Sequence, residues 1–259
     1  MISPAADPVG ANIVESLAEI GYDYIELSMC GIAALPEPEF AGVAARLRRS
    51  GIRCEALNCF FPASVRLTGE SARLDQALEY AAGAMDRAAA LGADIIVFGS
   101  SGAKNVPAGF SMEAAWRQIV DLLRRLGPMA ADRGLTIAIE PLNRGESNIV
   151  NLASEGLKLA REVDHPAVRL LIDYYHLAIE KEDPGIAVQA GPALRHVHFA
   201  KVEGRSFPDR TEEDYRRFFS CLRRAAYSRR CSIESVTADF EADARRALPI
   251  LRQLASAGE

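Results

Sequence analysis

Three features of the sequence predict an α/β protein built as a (β/α)8 barrel. Short runs of β-branched and apolar residues alternate with longer stretches of helical periodicity, which implies parallel strands joined by right-handed crossovers. Several helical stretches pass into the next strand through a glycine, as in Ile20-Gly21, Ser50-Gly51, Leu91-Gly92 and Arg133-Gly134. A left-handed helix C-cap leading into a strand fits each of them. Finally, Glu140, Asp173, His198 and Glu234 each stand at the end of a short apolar run. The chain length of 259 residues suits one barrel domain over residues 1–259 with a large core.

The elements follow in order. Strand-like runs fall at Asp23 to Leu27, Arg53 to Leu57, Asp94 to Phe98, Leu135 to Glu140, Val168 to Asp173, Arg195 to Phe199 and Cys231 to Glu234. They are short and nearly all apolar, as strands covered on both faces are. Helical patterns fill the intervals: 11–20, 38–50, 71–91, 111–133, 153–163, 211–226 and 239–256. That makes seven strands, where a closed barrel of this class has eight. The missing one belongs before the helix at 11–20, where only Met1-Ile2-Ser3 is available. The expectation is a first strand cut short, in a chain that begins downstream of its natural start. No linker, low-complexity segment or internal repeat suggests a second domain.

Composition narrows the partners. The formal net charge is −5, which argues against a nucleic-acid partner, because phosphate backbones call for basic patches. Arginine-rich pieces such as Arg223-Arg224 and Arg229-Arg230 fit solvated helix faces and turns. The five cysteines form no C-x-x-C pair, and no signal peptide is evident, so the expected setting is a reducing cytoplasm with free thiols. No apolar stretch approaches the roughly 20 residues of a membrane span.

In a barrel, the C-terminal ends of the strands share one face, so Glu140, Asp173, His198 and Glu234 can converge there. Three carboxylates and an imidazole at one point repel unless something neutralises them. A divalent cation does so, and oxygen-plus-imidazole ligation suits manganese, magnesium or cobalt. Taken singly, each acidic residue reads as a helix N-cap or an ion-pair partner. Four of them at successive strand ends make a metal set the better account. His196 and His198 alternate along one run and point to the same side, so His196 is expected to be a buried polar residue close to the centre without direct ligation.

The segment Ile139-Glu-Pro-Leu-Asn-Arg-Gly-Glu-Ser-Asn148, with Asp173-Tyr-Tyr-His176 and His196-Val-His198 followed by Arg205, resembles the sugar isomerase/epimerase group of xylose isomerase-like TIM barrels. The similarity is greatest to ketose 3-epimerases of the D-tagatose/D-psicose (allulose) type, and it extends over nearly the whole chain. The resemblance implies Glu140, Asp173, His198 and Glu234 as metal ligands, with Mn2+ first and Mg2+ or Co2+ as alternatives. It also implies Glu140 and Glu234 as the catalytic acid/base pair and Glu146, His176 and Arg205 as substrate-binding residues. A small-molecule sugar substrate and a homo-oligomer, dimer or tetramer, are implied in the same way. The loop Lys201-Val-Glu-Gly-Arg-Ser-Phe-Pro208 departs from the family pattern by lacking its Pro-Gly turn, which places substrate choice in question.

Other residues give weaker signals. Phe60 or Phe61 reads either as an apolar wall at the mouth or as core. Gly99-Ser-Ser-Gly-Ala-Lys-Asn105 has a lysine fit to meet a phosphate or a polar sugar terminus, but without a G-K-[ST] ending it is no nucleotide P-loop. Glu26 can bind a hydroxyl or balance charge, and Asn143 and Asn148 can orient loops. Three other readings compete with an epimerase. A dehydratase of the inosose type would use the same base but expel a β-hydroxyl. An apurinic-site nuclease would need histidines for three zinc ions, and the chain has four histidines in all. A non-catalytic sugar-binding barrel fits poorly with a full ligand set.

Overall fold

The computed structural model describes residues 7–256. Seven strands form one sheet in sequential order: β1 (Tyr24–Ser28), β2 (Arg53–Asn58), β3 (Ile95–Phe98), β4 (Thr136–Ile139), β5 (Val168–Asp173), β6 (Leu194–Phe199) and β7 (Cys231–Ile233). Each pairs with the next in parallel. Helices between them, including Glu37–Ser50, Leu74–Leu91, Met112–Ala131, Ala153–Val163 and Glu213–Arg224, and the helix Phe240–Ser256 after β7, pack on the outside. The expected strands lie within one or two residues of the observed ones. Met1-Ile2-Ser3, named for a first strand, lie outside the described residues.

The handover glycines behave as their sequence position demands. Gly51 and Gly92 take left-handed backbone, with φ of 75° and 78°, and stop the helices Glu37–Ser50 and Leu74–Leu91 in time for the next strand. β3 is buried along its whole length, which is why it reads as an unbroken apolar run. Its outward residues Ile96 and Phe98 join the large core between sheet and helices. Ile95 and Val97 instead cluster with Ala56, Ala138 and Leu171. Strand alternation puts Ala138 on the side of Glu140, and Leu171 on the side of Asp173. This small apolar layer therefore floors the barrel beneath its charged mouth.

Among the described residues no backbone ladder joins β7 to β1. Side chains bridge that seam. Tyr24 Oη and Ser232 Oγ are 2.6 Å apart, and Ser232 Oγ donates to Glu26 Oε2 at 2.5 Å. A cavity along the seam is lined by Ile13, Leu17, Ile25, Phe207, Ile233 and Phe240, among others. No helix among the described residues is long and apolar enough to cross a membrane.

Candidate metal centre

Each residue of the cluster is delivered by a strand end. Glu140 and Glu234 stand one position beyond β4 and β7, yet their backbone N–H groups continue the ladder, to Phe98 O at 3.2 Å and Phe199 O at 3.1 Å. Asp173 closes β5 and caps the helix Tyr174–Ile179, with Oδ1 accepting from Tyr175 N at 2.9 Å. Capping occupies that oxygen and leaves Oδ2 for the barrel mouth. His198, on β6, pairs in register with Asp173 on one side and Ser232 on the other. Its Nδ1 lies 3.1 Å from Glu140 Oε1 and 3.4 Å from Glu234 Oε2.

Ligand-type atoms of Glu140, Asp173, His198 and Glu234 all lie within 4.8 Å of one another. The structure thus brings together the four residues that the strand ends suggested. The space for Glu140 comes from β3: Gly99 follows it, and a Cβ there would overlap Glu140 Oε2. Asn58, at the end of β2, donates from Nδ2 to Glu234 Oε1 at 3.3 Å. Nothing in the sequence marked Asn58 beyond its place at a strand end.

The electrostatics follow from packing three carboxylates in one buried space. Burial and the Glu234 charge push the Asp173 carboxyl up to about 8 and raise Glu140 as well. Glu234 goes the other way: burial pushes it up, but the His198 imidazole and the Arg205 guanidinium outweigh that and hold it below the carboxylate range. Burial disfavours a charged His198, yet Glu26, Glu140 and Glu234 surround it and hold it well above an ordinary histidine. A cluster that must protonate to relieve its own repulsion is one that a divalent cation fits. The donors, three carboxylates and one imidazole, are those of Mn2+, Mg2+ or Co2+ sites.

Polar side chains that contact the cluster surround the mouth. Arg205 sits in the turn Glu203–Arg205 after β6, with left-handed backbone (φ 45°). Its guanidinium donates to Glu234 Oε2 (2.5 Å) and Glu146 Oε1 (3.2 Å), approaches Asp173 Oδ2 (3.5 Å) and stacks on Tyr175, 4.6 Å from the ring centroid. Arg205 Nε is buried with no acceptor among the described residues. Glu146 also accepts from Asn143 Nδ2 at 3.0 Å, while Arg144 pairs with Glu180 instead. His176 is buried, with Nδ1 held by Asn143 Nδ2 at 2.8 Å and Nε2 3.5 Å from Asp173 Oδ2. Burial and the nearby Arg205 push the His176 pKa down to about 3, so the ring is neutral. Glu146, His176 and Arg205 therefore gather at one edge of the cluster.

Of the weaker expectations, the aromatic wall and the phosphate loop are not met, while Asn148 behaves as expected. Phe60 and Phe61 are core residues, packed on each other, with Phe61 also against Tyr80 and Phe98. The segment after β3 is a short helix, Ser101–Lys104, and no open phosphate loop. Lys104 is fully buried with Nζ 3.3 Å from the Glu140 carbonyl, and burial lowers its pKa to about 8. Asn148 orients a loop, bonding both backbone groups of Val106.

The sequence profile of a family described as xylose isomerase-like TIM barrel matches residues 14–254. An L-ribulose 3-epimerase of Methylomonas sp. (strain DH-1) is 34% identical over 122 residues, 47% of this chain and 42% of that protein. An L-ribulose 3-epimerase of Mesorhizobium japonicum is 26% identical over 229 residues, 86% of this chain and 74% of that protein. The match to the Methylomonas relative thus spans less than half of that protein's length. Among solved structures, a D-allulose 3-epimerase from Methylomonas sp. in complex with D-allulose superposes with a TM-score of 0.83 at 25% identity, covering 94% of this chain and 90% of that one. A D-psicose 3-epimerase in the presence of D-fructose gives a TM-score of 0.85 at 22% identity, over 95% and 94% of the two chains.

Proposed function

The chain belongs to the xylose isomerase-like TIM barrel family, and from that premise we propose that it is a metal-dependent ketose 3-epimerase. The observation that carries this reading is the placement of Glu140 and Glu234, from the ends of β4 and β7, within 3.4 Å of His198 Nδ1 in one cluster. The similarity to ketose 3-epimerases supports the choice of reaction.

Epimerisation at C3 removes a proton beside a ketone and returns it to the other face. A divalent cation held by Glu140, Asp173, His198 and Glu234, with Mn2+ the first candidate, would supply Lewis-acid stabilisation of the negative charge that develops on the sugar. Glu140 and Glu234 act as the acid/base pair, one on each face of C3. His198 first and Arg205 second hold Glu234 below the carboxylate range, so it is ionised and ready to accept a proton. Arg205 Nε, buried without an acceptor, is free to donate to a sugar oxygen. Neutral His176, fixed by Asn143, offers Nε2 to a substrate hydroxyl, and Glu146 accepts from another.

The test is deuterium exchange followed by NMR, with purified protein, Mn2+ and a panel of free ketoses in D2O. Deuterium at C3 together with the epimeric sugar is the expected result. A dehydrated product with new absorbance, or no exchange with any ketose by a metal-loaded protein, would sink the epimerase assignment.

A further inference from the structure

One carboxylate beside the cluster is held out of it. Glu26, on β1, accepts from His198 Nε2 through Oε1 at 2.9 Å. Its other oxygen, Oε2, accepts from His196 Nε2 at 2.9 Å and from Ser232 Oγ at 2.5 Å. Tyr24 Oη lies 2.6 Å from Ser232 Oγ, and with the serine proton committed to Glu26 the tyrosine is the donor of that pair. As a carboxylate Glu26 can only accept, so the two imidazole Nε2 atoms and the serine hydroxyl that face it are its donors.

An acceptor at Nε2 fixes the chemistry of the other ring nitrogen. Nε2 of His198 carries a proton, and Nδ1 is the atom turned to Glu140 and Glu234. Both His198 and His196 are fully buried, so no water competes for these contacts. The β1–β2 register shifts between Ile25 and Glu26, an irregularity of the kind that re-aims a side chain. Glu26, His196 and His198 also bring three ligand-type atoms together, but hydrogen bonds already use the facing atoms.

We propose that Glu26 is the positioning residue of the centre: it holds His198 with Nδ1 aimed at the cluster, while His196 and Ser232 clamp Glu26 Oε2 and keep it from joining as a further carboxylate ligand. The role rests on the assignment of Glu140, Asp173, His198 and Glu234 as a cation site. The clamp matters because a catalytic centre keeps positions open for substrate oxygens. A mobile carboxylate next to His198 would fill one of them. Glu26 acts through His198 and touches no reacting atom.

The test uses Mn2+ binding by calorimetry and, on 15N-histidine-labelled protein loaded with diamagnetic Mg2+, the protonation of each ring nitrogen by NMR. In the wild type, the His198 proton is expected on Nε2 and slow to exchange. Glu26→Ala is expected to weaken Mn2+ binding about 10- to 100-fold and to lose the slow proton. Glu26→Gln, whose amide oxygen can still accept from Nε2, is expected to keep that proton and to fall between the two in affinity. An alanine variant with wild-type Mn2+ affinity, or a His198 proton on Nδ1 in the loaded wild type, overturns the role. Where the alanine variant does not fold, the glutamine variant carries the test, and unchanged affinity overturns it. These readouts need no sugar. A wild type that binds Mn2+ but epimerises no ketose removes the epimerase assignment and leaves Glu26 in place, whereas one that binds no divalent cation removes both.

Discussion

Arg205 Nη2 lies 2.5 Å from Glu234 Oε2, so a loop side chain and a strand-end carboxylate form the shortest bridge across the barrel mouth to the cluster. The same guanidinium reaches Glu146 and stacks on Tyr175. Replacement by alanine removes one of the two cations, after His198, that hold Glu234 below the carboxylate range. Arg205→Ala is therefore expected to lower kcat/KM by about 100-fold, the loss typical of one well-placed donor. It is also expected to move the acidic limb of the pH profile to higher pH, because removing a cation raises a carboxyl pKa. Arg205→Lys should recover little, since an ammonium reproduces neither the fork nor the stacking. Steady-state kinetics across pH check all three.

Gly99 makes room for Glu140. A methyl group there would overlap Oε2 and push the carboxylate off its place. Gly99→Ala is expected to reduce turnover by about 100-fold, as displacements near 1 Å do in active sites. Mn2+ affinity should fall with it, while far-UV circular dichroism stays that of the wild type. A Gly99→Ala enzyme with full activity would show that Glu140 has slack that the packing does not suggest.

Lys104 gives a pH-dependent stability effect that is separable from catalysis. Its folded pKa, about 8, lies below the ordinary lysine value, because burial disfavours the ammonium. Below pH 8 both states carry the proton, and the folded state bears the full burial penalty. As pH rises from about 8 to about 10.4, the folded form loses its proton first and stability increases. Lys104→Met is thus expected to stabilise the protein at pH 7, by about 1–3 kcal/mol. The advantage should shrink as pH rises through that window. Urea unfolding of both proteins at pH 7 and pH 9.5 measures the difference.

Cation binding should be visible in stability without any substrate. At a free Mn2+ concentration about 100 times its Kd, the folded state gains about 2.7 kcal/mol, or about 5–10 °C in Tm for a chain of this size. Chelation with EDTA is expected to reverse the shift and abolish turnover together. In Asp173→Asn the Mn2+ shift should be largely lost, because one of the three carboxylates becomes a neutral amide.

The parts legible in the sequence were those encoded locally. A buried strand reads as an apolar run, and a charged residue that ends one stands out, which is why Glu140, Asp173, His198 and Glu234 could be grouped before any fold was known. Glu26 ends a similar stretch, but its partners come from β6 and β7, 170 to 206 positions away, and only tertiary structure says which carboxylates face the cluster and which face a histidine. Phe60 and Phe61 follow a strand toward the mouth, and composition alone does not tell which way a loop turns its rings. Lys104 departs from expectation for a related reason: a glycine-rich segment reads as an open loop, whereas here it winds into one helical turn and takes the lysine inward.

The seam between β7 and β1 has a mechanical side. β7 is three residues long and has a ladder partner only in β6 among the described residues. The chain leaves it directly through Glu234. The last member of the cluster therefore hangs from the least secured strand of the ring, while Glu140, Asp173 and His198 belong to its interior. An ion gripped by all four would work as a fastener, pinning a loose margin to a rigid wall. Letting go of the ion and loosening the margin would then be a single event, and amide exchange along β7 would report on the occupancy of the centre.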